Sequence, residues 1–184
     1  MKNHFKSIPI TNANRLINHG PTVLITSRQG EKINVMTAAW QMPVSFKPVL
    51  IAISIGHQRF SHGMISKSRE FVINIPHLGM IKEVLCCGTQ SGREIDKFSV
   101  CKLTPVKAQK VKAPLIKECL GNIECKLHSI HEAGDHTIFI GEVVAASVRE
   151  GIFDSYLKVD LDQAKTLHHL GGKVFCHPDG IEHG

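Results

Sequence analysis

The run Val49-Leu50-Ile51-Ala52-Ile53-Ser54-Ile55, entered from Pro48, is apolar at nearly every position. That is the pattern of a strand buried on both faces. Such a strand needs neighbours along its edges and cover above and below, so it commits the chain to a sheet-based core. Further runs supply the neighbours. Residues 22–27 (TVLITS) and 33–38 (INVMTA) flank the polar turn 28–32 with its Gly30 and predict a hairpin. Residues 71–75 form a strand stopped by Pro76, and residues 120–130 and 137–149 are two extended runs joined through a turn at 132–135. Leu78, Ile81, Val84 and Leu85 recur at three- and four-residue steps, predicting a helix that ends near Gly88. Residues 61–69 suit a short surface helix. Residues 89–97 are a polar connection, 98–111 have broken periodicity, and the tail from Asp160 starts helical and loosens at Gly171-Gly172.

Strands therefore dominate, and no strand–helix–strand repeat appears. No G-x-G-x-x-G lies between a strand and a helix, which disfavours a Rossmann arrangement. The expected fold is mainly β with helices: a β-barrel, which removes exposed strand edges. At 184 residues the chain predicts a single domain, with its core at about 12–178.

The formal net charge of +6 would suit nucleic acid, but the 22 Lys and Arg are scattered along the chain. Aromatic residues make up 5 % with a single Trp, too few for a base-stacking platform, so no nucleic-acid partner is expected. No apolar run approaches the roughly 20 residues of a membrane span, so no membrane partner is expected either. Met1-Lys2-Asn3-His4-Phe5-Lys6 lacks the apolar core of a signal peptide. Cys86 and Cys87 are adjacent, and the other four cysteines show no C-x-x-C pairing. Reduced, buried thiols and a cytoplasmic setting are the expectation. Among 12 histidines, the pairs His128/His131, His168/His169 and Cys176-His177 do not assemble a four-ligand set, and no metal is expected.

Three segments carry chemistry. In Asn34-Val35-Met36-Thr37-Ala38-Ala39-Trp40, small residues allow a ligand to approach the backbone, and polar side chains and the only Trp stand beside them. Ser54-Ile55-Gly56-His57-Gln58-Arg59-Phe60-Ser61 places a Gly-containing turn before a predicted helix, a ready anion site. Arg59 adds a fork of donors, and Ser61 a hydroxyl and a candidate helix cap. Asn74 is a lone amide in an apolar strand, so it must be hydrogen-bonded to backbone or to ligand.

With S-G-R-E-I-D-K-F, G-D-H-T-I-F-I-G-E-V and L-G-G-K-V-F further along, these segments resemble, in order and spacing, the flavin reductase-like family with its FMN-binding split barrel of Greek-key type, and within it the flavoredoxin-type proteins. The resemblance runs from about Pro21 to Phe175 and implies a function. Met36, Thr37, Ala38, Ala39 and Trp40 would lie along the isoalloxazine ring, with Asn34 nearby. Ser54, Ile55, Gly56, His57, Arg59, Phe60 and Ser61 would wrap the ribityl phosphate, supported by Asn74. Lys97, His136 and Phe175 would complete the pocket, Lys97 and His136 as groups that tune the flavin. The resemblance further implies bound FMN, NADH or NADPH as transient electron donor, a small-molecule or protein electron acceptor, and a homodimer. Its alternative is a flavoredoxin-like electron carrier, or a non-catalytic flavin- or haem-binding barrel.

Overall fold

The computed structural model describes residues 8–182; the Met1–Lys6 stretch lies outside them. A 3-10 helix (Ile10–Leu16) precedes β1 (Val23–Gln29), β2 (Lys32–Ala38), β3 (Gln41–Phe46), β4 (Val49–Gly56), α1 (Phe60–Ser68) and β5 (Glu70–Ile75). Then come α2 (Ile81–Thr89), α3 (Lys97–Val100), β6 (Pro105–Val106), β7 (Leu115–Ile116), β8 (Gly121–Ala133), β9 (His136–Val148), β10 (His168–Gly171) and β11 (Val174–Cys176). Seven strands form one antiparallel sheet in the order β2-β1-β5-β8-β9-β4-β3. β1 pairs with β5 and β4 with β9, the long-range pairings of a Greek-key-type barrel.

The sheet must curl. β2 and β3 lie at its two edges, yet only Ala39 and Trp40 connect them. Three Cα steps reach about 11 Å, whereas the edges of a flat seven-stranded sheet stand about 29 Å apart. The connection therefore pulls the edges together and makes a barrel split between β2 and β3. Closure is incomplete: no ladder joins β2 to β3 among the described residues, so the barrel does not hide every edge.

Alternation along the strands sorts side chains between two cores. Val23, Ile25, Ile53, Ile55, Phe71, Ile73 and Phe139 fill the barrel, while Leu24 and Val35 face outward onto Met80, Val84, Cys87 and Phe98 from the α2–α3 side. β1 is the strand buried on both faces, with residues 23–27 all inaccessible; β4 has that character only in its second half, because its first half pairs with the exposed edge strand β3. The expected surface helix is α1, and it is not superficial: Ser61, Met64 and Ile65 are buried. β3 carries no strand signal, since Pro43 interrupts it; an edge strand tolerates that proline. The tail does not loosen at Gly171-Gly172, which instead turns the β10–β11 hairpin.

The cysteines correct the expectation of reduced thiols. Cys86 of α2 is disulfide-bonded to Cys101, just past α3. The packing of α2 and α3 on the sheet brings together two cysteines that spacing alone left apart. Cys87, Cys119 and Cys125 are buried free thiols and Cys176 is exposed. The bond removes the thiol argument for a cytoplasmic setting. No helix among the described residues is long and apolar enough to cross a membrane.

Candidate functional site

A cleft of about 570 Å³ opens where β2, β4, α1 and α2 meet, well inside the usual range of small-molecule sites. Its floor is Asn34, Met36, Thr37 and Ala38 of β2, followed by Ala39 and Trp40. One wall is Ser54, Ile55, Gly56, Gln58, Arg59, Phe60 and Ser61; the other is residues 87–94 with Lys97. Asn14, Arg15, Asn18, His136 and His169 also line it.

The two ends of the cleft are chemically unlike. At the first, Asn34 Nδ2 donates to Ser61 Oγ at 2.7 Å, and both side chains are buried. The opposite wall closes tightly here: a Cβ on Gly92 would fall 2.0 Å from Asn34 Oδ1, so only glycine fits. Arg59, not Ser61, is the N-cap residue of α1, and no side chain caps the helix. The N–H groups of Phe60 and Ser61 consequently have no acceptor among the described residues and remain available to a ligand. Arg93 donates to Gln58 O (2.9 Å) and sits over the Phe60 ring, 5.5 Å from its centroid. Two guanidinium groups, one from each wall, thus gather at this end of the cleft with a hydroxyl and free helix amides. That is a donor set for a phosphate.

The second end is aromatic. The Trp40 and His136 rings lie 4.9 Å apart, tilted by 33°. His136 Nδ1 is 2.7 Å from Asp135 Oδ1, and this hydrogen bond, with the attraction between the two groups, lowers the Asp135 pKa. With its amide turned to satisfy both atoms, Asn18 accepts from Trp40 Nε1 (3.0 Å) and donates to Ala39 O (3.2 Å). Between the ends, Asn34 and Ala38 are four residues apart in β2, about 13 Å.

Lys97 is buried under the 87–94 wall and its Nζ donates to Cys87 O at 2.6 Å. Burial lowers its pKa; the Cys87 thiol opposes this shift and the positive charge of Arg59 adds to it. Thr37 faces the cleft but spends its hydroxyl on Val84 O (2.5 Å), tying β2 to α2.

Three residues expected at the site lie outside the cleft lining. His57 turns away, with Nε2 2.9 Å from Glu132 Oε2. Asn74 is fully buried in β5: it donates to Leu24 O (2.9 Å) and accepts from Ile116 N (2.9 Å), stapling β1 and β7 to its own strand. Phe175 stands behind the lining, 5.5 Å from the His169 ring. The sequence in turn concealed Asn14, Arg15, Asn18, Gln58, the 87–94 wall and His169. Ser91-Gly92-Arg93, a small-residue turn followed by a guanidinium, was the one available signal.

The sequence matches the flavin reductase-like domain over residues 15–169, and the chain belongs to that family. It is 30 % identical over 146 residues to an NADH-dependent FAD reductase of Streptomyces globisporus, covering 77 % of this chain and 79 % of that one. An FMN-binding protein from Thermus thermophilus superposes with a TM-score of 0.81 at 25 % identity, covering 100 % of both chains. The flavoredoxin of Desulfovibrio vulgaris (Miyazaki F) does so with a TM-score of 0.81 at 26 % identity, covering 90 % of both.

Proposed function

We propose that this protein holds FMN in the cleft, takes a hydride there from NADH or NADPH, and passes the electrons to a small-molecule or protein acceptor. The observation that carries this reading is the pairing of a phosphate-binding end with an aromatic end, separated by about the length of β2 between Asn34 and Ala38, roughly 13 Å. FMN has the same polarity, a phosphate at one tip and a flat ring at the other. Arg59, Arg93, Ser61 and the α1 amides would hold the phosphate. Residues 36–40 would line the ring, with small Ala38 and Ala39 permitting close approach. When bound, FMN supplies the redox chemistry itself, accepting two electrons as a hydride and releasing them to the acceptor. The protein's part is retention, orientation and electrostatics. A buried cation at Lys97 and a donor at His136 are the groups placed to tune the potential of a ring in the cleft.

The working form in this reading is a cytoplasmic homodimer. Nicotinamide donors are regenerated in that compartment, which would also keep the Cys86–Cys101 pair under reducing pressure. The likeness to a flavoredoxin favours one competing reading, an electron carrier that binds FMN but is not reduced by nicotinamides.

Anaerobic spectroscopy separates them. Protein reconstituted with FMN should absorb near 450 nm (roughly, from the flavin itself) and bleach on adding NADH or NADPH. Arg59→Ala should weaken FMN binding about tenfold or more, as expected for a charge-assisted phosphate contact. Binding without bleaching would leave the carrier; failure to bind FMN at all would sink both.

A further inference from the structure

The cleft lining holds Arg15, Arg59, Arg93 and Lys97 against a single carboxylate, Glu94. Three of those cations stand on the two walls already described, Arg59 on one and Arg93 and Lys97 on the other. Arg15 does not. β1 places Val23 opposite Ala38, and immediately before it Thr22 N donates to Leu167 O (2.6 Å) while Pro21 bridges to His168. β10 therefore sits beside the Trp40 end of the cleft, about 13 Å along β2 from Asn34. Arg15 reaches the same end from the 3-10 helix and lies against the β10–β11 turn. A Cβ on Gly171 would press on its Cζ and Nη1 at 3.2 Å, and Gly171 has φ +139°, a backbone conformation that favours glycine there. His169, steadied by Gly172 O at 3.2 Å and backed by Phe175, forms the adjoining wall. Among the described residues Arg15 pairs with no carboxylate. It is an exposed guanidinium held on a glycine platform at the mouth of the site, with no internal partner.

We propose that Arg15 is a specificity-determining residue that receives a phosphate of the nicotinamide dinucleotide donor. The proposal rests on the FMN reading. With the FMN phosphate at the α1 end, a donor stacking on the ring from the open side would carry its own phosphates past Trp40. Arg15 is the cation of the lining that meets them there, and a guanidinium can engage a phosphate through two parallel hydrogen bonds.

The test compares wild type, Arg15→Ala and Arg15→Lys, each loaded with FMN. Calorimetric titration with oxidised NAD and NADP reads binding without turnover. Steady-state rates are taken with NADH, with NADPH and with a phosphate-free N-benzyl dihydronicotinamide. Arg15→Ala should weaken dinucleotide binding at least tenfold and raise KM to match. FMN affinity and the rate with the phosphate-free donor should stay within twofold, and Arg15→Lys should recover part of the loss. An effect confined to the NADP pair assigns the 2′-phosphate, and an effect on both pairs assigns the pyrophosphate; either supports the proposal. Unchanged dinucleotide affinity in Arg15→Ala overturns it while leaving the reductase reading intact. So does an equal loss with the phosphate-free donor, or an FMN affinity that falls by the same factor. Wild type that binds FMN but neither dinucleotide overturns the proposal together with the reductase reading.

Discussion

Asn74 has the chemistry of a ligand-binding amide and no access to a ligand. Its donor and acceptor are both taken by backbone, at Leu24 O and Ile116 N, in a position fully closed to solvent. Replacing it by alanine strands those buried groups, at about 1–3 kcal/mol each. Asn74→Ala should therefore lower unfolding free energy by about 2–6 kcal/mol, while the FMN dissociation constant of the folded fraction stays unchanged. Denaturant melts paired with FMN titration check this; an intact melting curve with weakened FMN binding would return Asn74 to the site. Residue chemistry was legible in the sequence, but address was not. The rule that a buried amide must be bonded held for Asn74, yet nothing local said whether its partner would be backbone or ligand. His57 turned outward to Glu132 although its chain neighbours Gly56 and Gln58 line the cleft. Asn34 and Ser61, 27 positions apart, meet only because β2 and α1 pack on the same side of the barrel.

At the scale of elements, the wall formed by residues 87–94 runs from the last turn of α2 toward α3, and the Cys86–Cys101 bond clasps the segment that contains it. Lys97 adds a second tie by donating to Cys87 O. A disulfide closing a loop of 15 residues is worth about 3 kcal/mol by constraining the unfolded chain. Cys86→Ser should cost about that much stability and loosen FMN binding through the freed wall. Thiol titration gives a direct check on the bond. Ellman's reagent should react with exposed Cys176 in the native protein, because burial pushes the Cys87 and Cys125 thiols up to about 12 and raises that of Cys119 as well. Four thiols should react after denaturation and all six after reduction. Six in denaturant without reductant would show that the pair does not form. The strands were readable as apolar, β-branched runs between turn signals, and α2 from its three- and four-residue spacing. β3 was hidden by Pro43, and the disulfide by its dependence on how α3 packs against α2, a contact between elements that no local pattern encodes.

For the whole molecule, the two residues joining β2 to β3 convert an open sheet into a split barrel and at the same time line the cleft with Ala39 and Trp40. The split leaves β3 at an edge with Met42, Val44 and Phe46 exposed, Phe46 by 93 %. An uncovered apolar edge strand is an association surface, and a second copy of this chain is the partner the family resemblance implies. Sedimentation should give twice the chain mass, and Phe46→Glu should shift the protein toward monomer; a wild-type monomer at micromolar concentration would rule the dimer out. The architecture also separates two tasks along the chain. The donor-rich end of the cleft is assembled from β2, the segment between β4 and α1, and the 87–94 wall, whereas the Trp40 end is finished by the 3-10 helix that precedes β1 and the β10–β11 hairpin that follows β9, joined through the Pro21–His168 bridge. In the proposed reading, cofactor retention and donor choice would be written in separately editable stretches of the gene, and variation in the two flanking elements would redirect the choice of donor without dismantling the part that keeps the protein coloured.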